Sequence, residues 1–593
     1  MQTKKREELD KKYTWDLSLL YNSHEDYLKD FELIKALAEK SYSFKGKLTS
    51  KENILKIYKL WDELGIKLER MEVYLSLRRE MNGKDVRALE DIAELENFMT
   101  EYGQKSAYEQ VELCSLSDEF IDNLINDPDF KDYDRNLEDI KESKKHILDE
   151  TREKMLSKIG SFAGFSDIFS KIDDIELKFG KITLESGEEV EMTNANMGVY
   201  TRDPSQRVRK AASETIHKGY KDFNLTISEN FINFLKYRDS MADFRNYDGT
   251  LNAQLEGSKI DKSVIETLVR EVNDNLGYFY DFVKVLKKKL NLETFYNTDV
   301  YAPVSQGVQS KFTYEEAVDI VKDALKVMGK DYIDVLSKLF SSRTIDVYPT
   351  ENKGGGAFST GCYDCLPMVL LNYTGTFNDI STIAHELGHS MHTYYSHKNQ
   401  CFAKSGYDIF VAEIASTVNE LLLFRYMEKH AKNCEERKSY IASFLGTFYA
   451  TIYRQTMFTE FELFAHGAVH KNQVLSYEKL NTFYGNLQKK YFGKNVTMNE
   501  NANVEWSRIP HFYRPFYVYK YATGLVSACS IVANILERGE EYVENYYKKF
   551  LSSGSSLDPV DILKLADVDI TSEDTYSKAF NFFKSYVDEL DKI

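Results

Sequence analysis

At 593 residues with 42% hydrophobic content, the chain can bury a core of several-domain size, and a formal net charge of −17 argues against nucleic acid and anionic lipid as partners. The six cysteines, Cys114, Cys362, Cys365, Cys401, Cys434 and Cys529, are too sparse for a disulfide framework. The charged opening MQTKKREELDKKYTWDL and the lack of a long apolar run argue against secretion and membrane insertion, so a reducing cytoplasm is the expected setting.

With only 8 proline residues and apolar residues recurring at helical spacing, as in Leu60, Leu64, Leu68, Met71 and Leu75, the expected class is mainly α. Lys181 to Thr193 breaks that pattern: Ile182 and Leu184 alternate with polar residues, Ser186-Gly187 offers a turn, and Val190 and Met192 alternate again, which predicts a β-hairpin. Asp203-Pro204 then reads as the cap and first turn of a new helix, giving an N-terminal helical region over 1–200 and a catalytic domain over 201–593. The lysines Lys284, Lys287 and Lys288 share one helical face and read as a solvated surface. From Thr344 to Thr374, strand-like ends flank Gly354-Gly355-Gly356, and the segment reads either as an edge for an extended peptide or as a structural hairpin. Its Cys362 and Cys365 are a single CxxC, read as two ordinary thiols.

Next comes STIAHELGHSMHTYYS, from Ser381 to Ser396. His385 and His389 stand four apart, about 40° round a helix axis, so both imidazoles can reach one metal ion. Glu386 lies about 100° from His385, poorly placed as a ligand from the same turn but close enough to touch a water on the metal. Ile383, Ala384, Leu387, Gly388 and Met391 predict a largely buried helix, in which two histidines and a carboxylate need partners. These residues together predict a zinc site.

A metzincin would carry Gly at 392 and His at 395, whereas this chain has His392 and Tyr395. His392 shares a face with His385 but sits about 10.5 Å further along the axis, too far for the same coordination sphere, and is expected behind the ligands or in the core. The third ligand should therefore come from another helix, and the nearby carboxylates are Asp408, Glu413 and Glu420. Glu413 is the first choice, because it lies in the apolar helix VAEIASTVNELLLF, where a carboxylate needs a strong partner. Glu420 reads either as an orienting partner of a ligand histidine or as a salt-bridged helix residue. Further on, Pro515 is predicted as the first residue of a helix in which Tyr517 and Tyr521 share a face and Tyr519 points elsewhere.

HELGHSMH followed by VAEIAST resembles the zinc metallopeptidases related to thimet oligopeptidase, specifically their oligoendopeptidase F branch. YTWDLSLLY from Tyr13, RDPSQRVRKAA from Arg202, VLLNYTGT from Val369 and IPHFYRPFYVYKYATG from Ile509 extend the resemblance over nearly the whole chain. It implies a mainly helical, clamshell-like peptidase with a deep channel, cleaving oligopeptides in the cytoplasm. It also implies that His511 and Tyr521, with Tyr517 next, bind substrate and steady the oxyanion.

The expected chemistry is hydrolysis of internal peptide bonds at one Zn2+, held by His385, His389 and Glu413, with Glu386 as general base. Two other readings stay open: a zinc carboxypeptidase or dipeptidase of similar helical fold, and a peptide-binding protein with a structural zinc. Glu386 counts against the last, since a structural site does not require it.

Overall fold

The computed structural model describes residues 4–305 and 311–593. Helices dominate, as the composition predicts. Along the chain the elements that matter most are α1 (Lys51–Met81), the strands β1 (Lys181–Thr183) and β2 (Glu189–Glu191), α2 (Gln206–Asp222), and β3 (Ile345–Asp346), β4 (Phe358–Thr360) and β5 (Met368–Leu370). They are followed by α3 (Phe377–Asn399), α4 (Ile409–Lys429), α5 (Arg454–His470) and α6 (Tyr519–Arg538). No described helix is long and apolar enough to cross a membrane.

The chain forms two compact units, each assembled from separate stretches: 1–145, 309–426 and 534–567 in the first, 146–308, 427–533 and 568–593 in the second. The boundary expected near residue 200 falls inside the first stretch of the second unit.

In the first unit α1 buries Leu60, Leu64, Leu68, Met71 and Leu75, the series read from spacing. The small sheet has the order β3-β5-β4: β3 runs parallel to β5 and β4 antiparallel to it, which leaves β4 at an edge beside α3. The N-terminal segment is tied to this sheet by the Trp15 indole, which donates to the carbonyls of Thr344 (3.0 Å) and Val369 (2.9 Å). Asp346 on β3 is fully buried, with Arg6 and the Lys353 ammonium (2.8 Å) as its partners. A buried carboxylate without such cations would cost several kcal/mol (~3–5), so these two contacts are conditions for the sheet.

In the second unit β1 and β2 pair antiparallel, with Ile182 opposite Val190, as the alternation predicts. The helix expected to open at Asp203-Pro204 starts later. Asp203 Oδ1 accepts the Ser205 N–H (2.8 Å) in a local turn, Ser205 caps α2, and a short helix, Asn194–Tyr200, intervenes after the hairpin. That short helix has its own capping box, Thr193 with Asn196, which the hairpin pattern alone does not reveal. Lys284 and Lys288 form exposed ion pairs with Asp281 and Asp591, so that helix face is solvated as expected.

Candidate metal centre

α3 opens with a capping box in which Thr376 and Asp379 satisfy each other's backbone N–H groups. Ile380, Ile383, Ala384, Leu387 and Met391 are all buried along its length. Gly388 explains how α4 can cross so closely. A Cβ at this position would collide with the Ser416 backbone and lie 2.7 Å from the Ala415 carbonyl oxygen. The crossing brings a polar face of each helix together.

On that crossing His385 Nε2 lies 3.2 Å from His389 Nε2, and Glu413 Oε2 lies 3.6 Å and 3.8 Å from the two nitrogens. Ligand atoms on a tetrahedral zinc with bonds of ~2.0–2.1 Å are separated by roughly 3.4 Å, so the triangle fits one ion. The cluster carries carboxylates with no cationic side chain: among the described residues Glu413, Glu420 and Glu386 make no ion pair with Lys or Arg. A half-buried negative cluster of imidazole and carboxylate has the donor set that could hold a divalent cation.

The other atoms of these side chains are also held. His385 Nδ1 faces Glu420 Oε2 at 3.5 Å, and Glu420 Oε1 accepts from the Ser381 hydroxyl at 3.3 Å. His389 donates to the Ala412 carbonyl, and the Glu386 carboxylate accepts the backbone N–H of Ser359 on β4. Each metal-facing nitrogen is thus backed by an acceptor on the opposite side of its ring, which fixes the tautomer and orientation.

Burial raises Glu386 to about 7, with the His385 charge opposing and Glu413 and Glu420 reinforcing the shift. Burial pushes His385 down, but the Glu420 hydrogen bond and the surrounding carboxylates outweigh it, leaving a net rise. His389 is lowered to about 4, first by burial and then by His385. Its free nitrogen is therefore available at neutral pH.

His392 takes no part in this cluster. It is buried, stacked on Tyr407 at 3.8 Å and packed against Phe550, neither ring nitrogen has a partner among the described residues, and burial, then the His389 charge, lowers it to about 3. Tyr395 is also buried, with its ring on Tyr547. Asp408 Oδ1 accepts the Phe410 N–H at 2.7 Å and serves the start of α4. Of the three downstream carboxylates, Glu413 and Glu420 reach the histidines. Cys362 is buried and Cys365 half-buried, both as free thiols.

His511, Tyr517 and Tyr521 lie together in the second unit. The His511 ring is 6.5 Å from Tyr517 and 6.0 Å from Tyr521, and the two tyrosine rings meet edge-on at 5.3 Å. Burial and then the Arg514 charge hold His511 below its ordinary value. The local backbone differs from expectation. Pro515 and Phe516 form a turn and α6 begins at Tyr519, so Pro515 is not its first residue. Phe516 has φ +52°, unusual for an aromatic side chain, and its N–H donates at 2.7 Å to the fully buried Glu462 on α5.

Several partners escaped sequence reasoning: Ser359, Ala412, Gly388 and Glu462. The first two act through backbone atoms, which carry no residue-type signal. Gly388 was visible as a glycine inside a helix pattern, a sign of close approach.

The chain matches the model for Peptidase family M3 over residues 199–582 and that for Oligopeptidase F over residues 112–179. It is 35% identical to an oligoendopeptidase F homolog of Borreliella burgdorferi, over 99% of both chains. With the oligopeptidase PepF of Bacillus subtilis it shares 32% identity over 99% of this chain and 88% of that one. A crystal structure from Chlamydophila abortus superposes with a TM-score of 0.94 at 32% identity, covering 100% of both chains. The oligoendopeptidase-F of Enterococcus faecium superposes at 0.71 with 27% identity, covering 96% of this chain and 98% of that one. The two helices of the metal centre, the mainly helical fold and these full-length likenesses lead to one conclusion: the chain belongs to peptidase family M3, in its oligopeptidase F branch, and is a metallopeptidase acting on oligopeptides.

Proposed function

We propose that this protein is a zinc-dependent endopeptidase that cuts internal bonds of oligopeptides, with residues 201–593 as its catalytic domain and the cytoplasm as its setting. The observation that carries the reading is the convergence of His385, His389 and Glu413 on one point beside Glu386. Six free cysteines agree with a reducing compartment.

His385 Nε2, His389 Nε2 and Glu413 Oε2 would hold the zinc. When bound, zinc supplies a Lewis acid that lowers the pKa of a water toward ~7 and polarises a carbonyl. Glu386 provides the proton traffic: its carboxylate takes the proton of the attacking water and delivers it to the departing amine. The Ser359 N–H aims that carboxylate. Glu420 keeps the proton of His385 on Nδ1, so that Nε2 faces the ligand point. Amide hydrolysis builds negative charge on the carbonyl oxygen, and we assign its stabilisation to His511 or Tyr521, with Tyr517 holding substrate. β4, at the edge of its sheet, is a surface on which an extended peptide can add as a strand.

The test is mass spectrometry of products from an end-blocked peptide and its unblocked twin, with chelator and after zinc is restored. Internal cuts in both peptides, lost with chelator and regained with zinc, are expected. Stepwise trimming of the unblocked peptide alone would replace the reading with an exopeptidase. Intact peptides would replace it with a binding protein.

A further inference from the structure

The second unit contains a cavity of about 280 Å³ that plays no part in the chemistry above. One wall is the start of α5, directly after a single π-helical turn at Tyr449–Tyr453, a distortion that in helices often accompanies a functional site. Three arginines, Arg202, Arg454 and Arg508, line the space against one carboxylate, Glu505.

Glu505 is already committed. Its Oε1 takes Arg454 at 2.7 Å and has Arg508 at 3.6 Å, and its Oε2 accepts from Tyr484 (3.0 Å) and Gln488 (2.9 Å). Burial opposes its ionisation, yet the two arginines outweigh burial and hold it at about 2, so it is a fixed anion. Asp173 lies near Arg508 but is engaged by the Tyr220 hydroxyl. His217 adds no charge, because burial lowers it to about 4.

After this pairing an excess of guanidinium remains. Arg202, at the exposed mouth, donates to the Gly198 carbonyl (3.1 Å) and lies over the Tyr301 ring, with no carboxylate partner among the described residues. Among the described residues Arg508 makes only the long contact to Glu505 as an ion pair, and the Gln455 amide lines the same space. A guanidinium fork matches a planar or tetrahedral oxyanion, and an apolar or cationic ligand would leave these donors unfilled.

We propose that this cavity is an oxyanion site that binds a small ligand through a carboxylate or phosphate group, held by Arg202 and Arg508 with the Gln455 amide. The shared chemistry has two sources, the free C-terminal carboxylate of a very short peptide and a small free anion. The site stands independently of the metal centre.

Isothermal titration calorimetry of the zinc-loaded full chain would use inorganic phosphate, succinate, Ala-Ala and Ala-Ala amide as probes. Saturable one-to-one binding of at least one oxyanion probe is expected, weakened roughly tenfold or more by Arg202→Gln, in line with loss of a charge-assisted hydrogen bond. Ala-Ala binding without Ala-Ala amide binding identifies the peptide terminus as the source, and phosphate or succinate binding identifies a free anion. Metal content measured in parallel keeps the two sites apart, and Gln455→Leu serves as the second variant where Arg202→Gln does not fold. Absence of saturable binding by every probe, or binding unchanged in the folded variants, overturns the proposal.

Discussion

Two clusters in this molecule, one half-buried and one buried, each join histidine to carboxylate and carry opposite charge, because arginines enter only the second. At the crossing of α3 and α4, two histidines meet Glu386, Glu413 and Glu420, which make no ion pair with Lys or Arg among the described residues. In the second unit His217 and Glu505 meet Arg454 and Arg508, and the carboxylate is outnumbered. Burial makes an unbalanced charge expensive wherever it occurs. The sign of the imbalance, more than the residue inventory, indicates what each cluster can take: a cation in the first and an oxyanion in the second.

The comparison breaks most sharply at Glu386. Glu386→Gln removes the proton carrier but no metal-facing atom, so turnover should fall by roughly 10²–10⁴-fold with zinc content unchanged. Steady-state cleavage alongside metal analysis measures both, and near-normal turnover would eliminate Glu386 as the base. Glu413→Ala acts on the charge itself. Zinc affinity should then drop by more than the roughly 10–100-fold that loss of an outer partner produces, read by titration against a chelator. Full occupancy and unchanged affinity would point to a different third ligand.

On the anionic side the grouping of His385, His389 and Glu413 was largely legible in the sequence. Helical spacing puts His385 and His389 on one face, and an acid in the apolar run around Glu413 needs a partner, so both facts are local. What could not be read depends on approach between distant segments: the Ser359 N–H that aims Glu386, the Ala412 carbonyl behind His389, and the contact distance set at Gly388. The turn before α6 failed for a related reason. Proline at a helix start is a sound local rule, but here Glu462, 54 residues upstream, takes the Phe516 N–H and stabilises a left-handed aromatic residue. The arginine cluster was not legible at all. Arg202, Arg454 and Arg508 are far apart in sequence and meet through packing.

The second cluster can be tested by pH. Glu505 is held at about 2 in the folded protein against an ordinary value of 4.5, so it stabilises the fold fully above pH ~4.5. That contribution is lost as pH falls through about 2. It should reach about 3 kcal/mol, since each tenfold change in proton affinity corresponds to ~1.4 kcal/mol and the group is largely buried. Urea unfolding of the wild type and of Glu505→Gln at pH 7, 4.5 and 3 should show a stability gap that narrows with acidity. A gap independent of pH would mean that the Arg454 and Arg508 charges do not set its ionisation.

The smallest expected effect sharpens the comparison furthest, because it asks whether negative charge beyond the ligands matters. Glu420 is 3.5 Å from His385 Nδ1, on the side of the ring opposite the Nε2 that faces His389 and Glu413. If it only orients the ring, Glu420→Gln, which keeps an acceptor oxygen of the same reach, should cost almost nothing in affinity. If its charge also offsets the cation, the same variant should lower zinc affinity by roughly tenfold, within the range for outer partners of a ligand histidine. The surroundings favour the second result: Glu420 is one of three acids with no Lys or Arg among their ion pairs, and it raises His385 against the opposing effect of burial. Titration of zinc against a competing chelator in wild type, Glu420→Gln and Glu420→Ala decides the matter. A tenfold loss in Glu420→Gln with a larger one in Glu420→Ala assigns both charge and orientation to this residue, whereas an unchanged Glu420→Gln would confine the imbalance to Glu386 and Glu413.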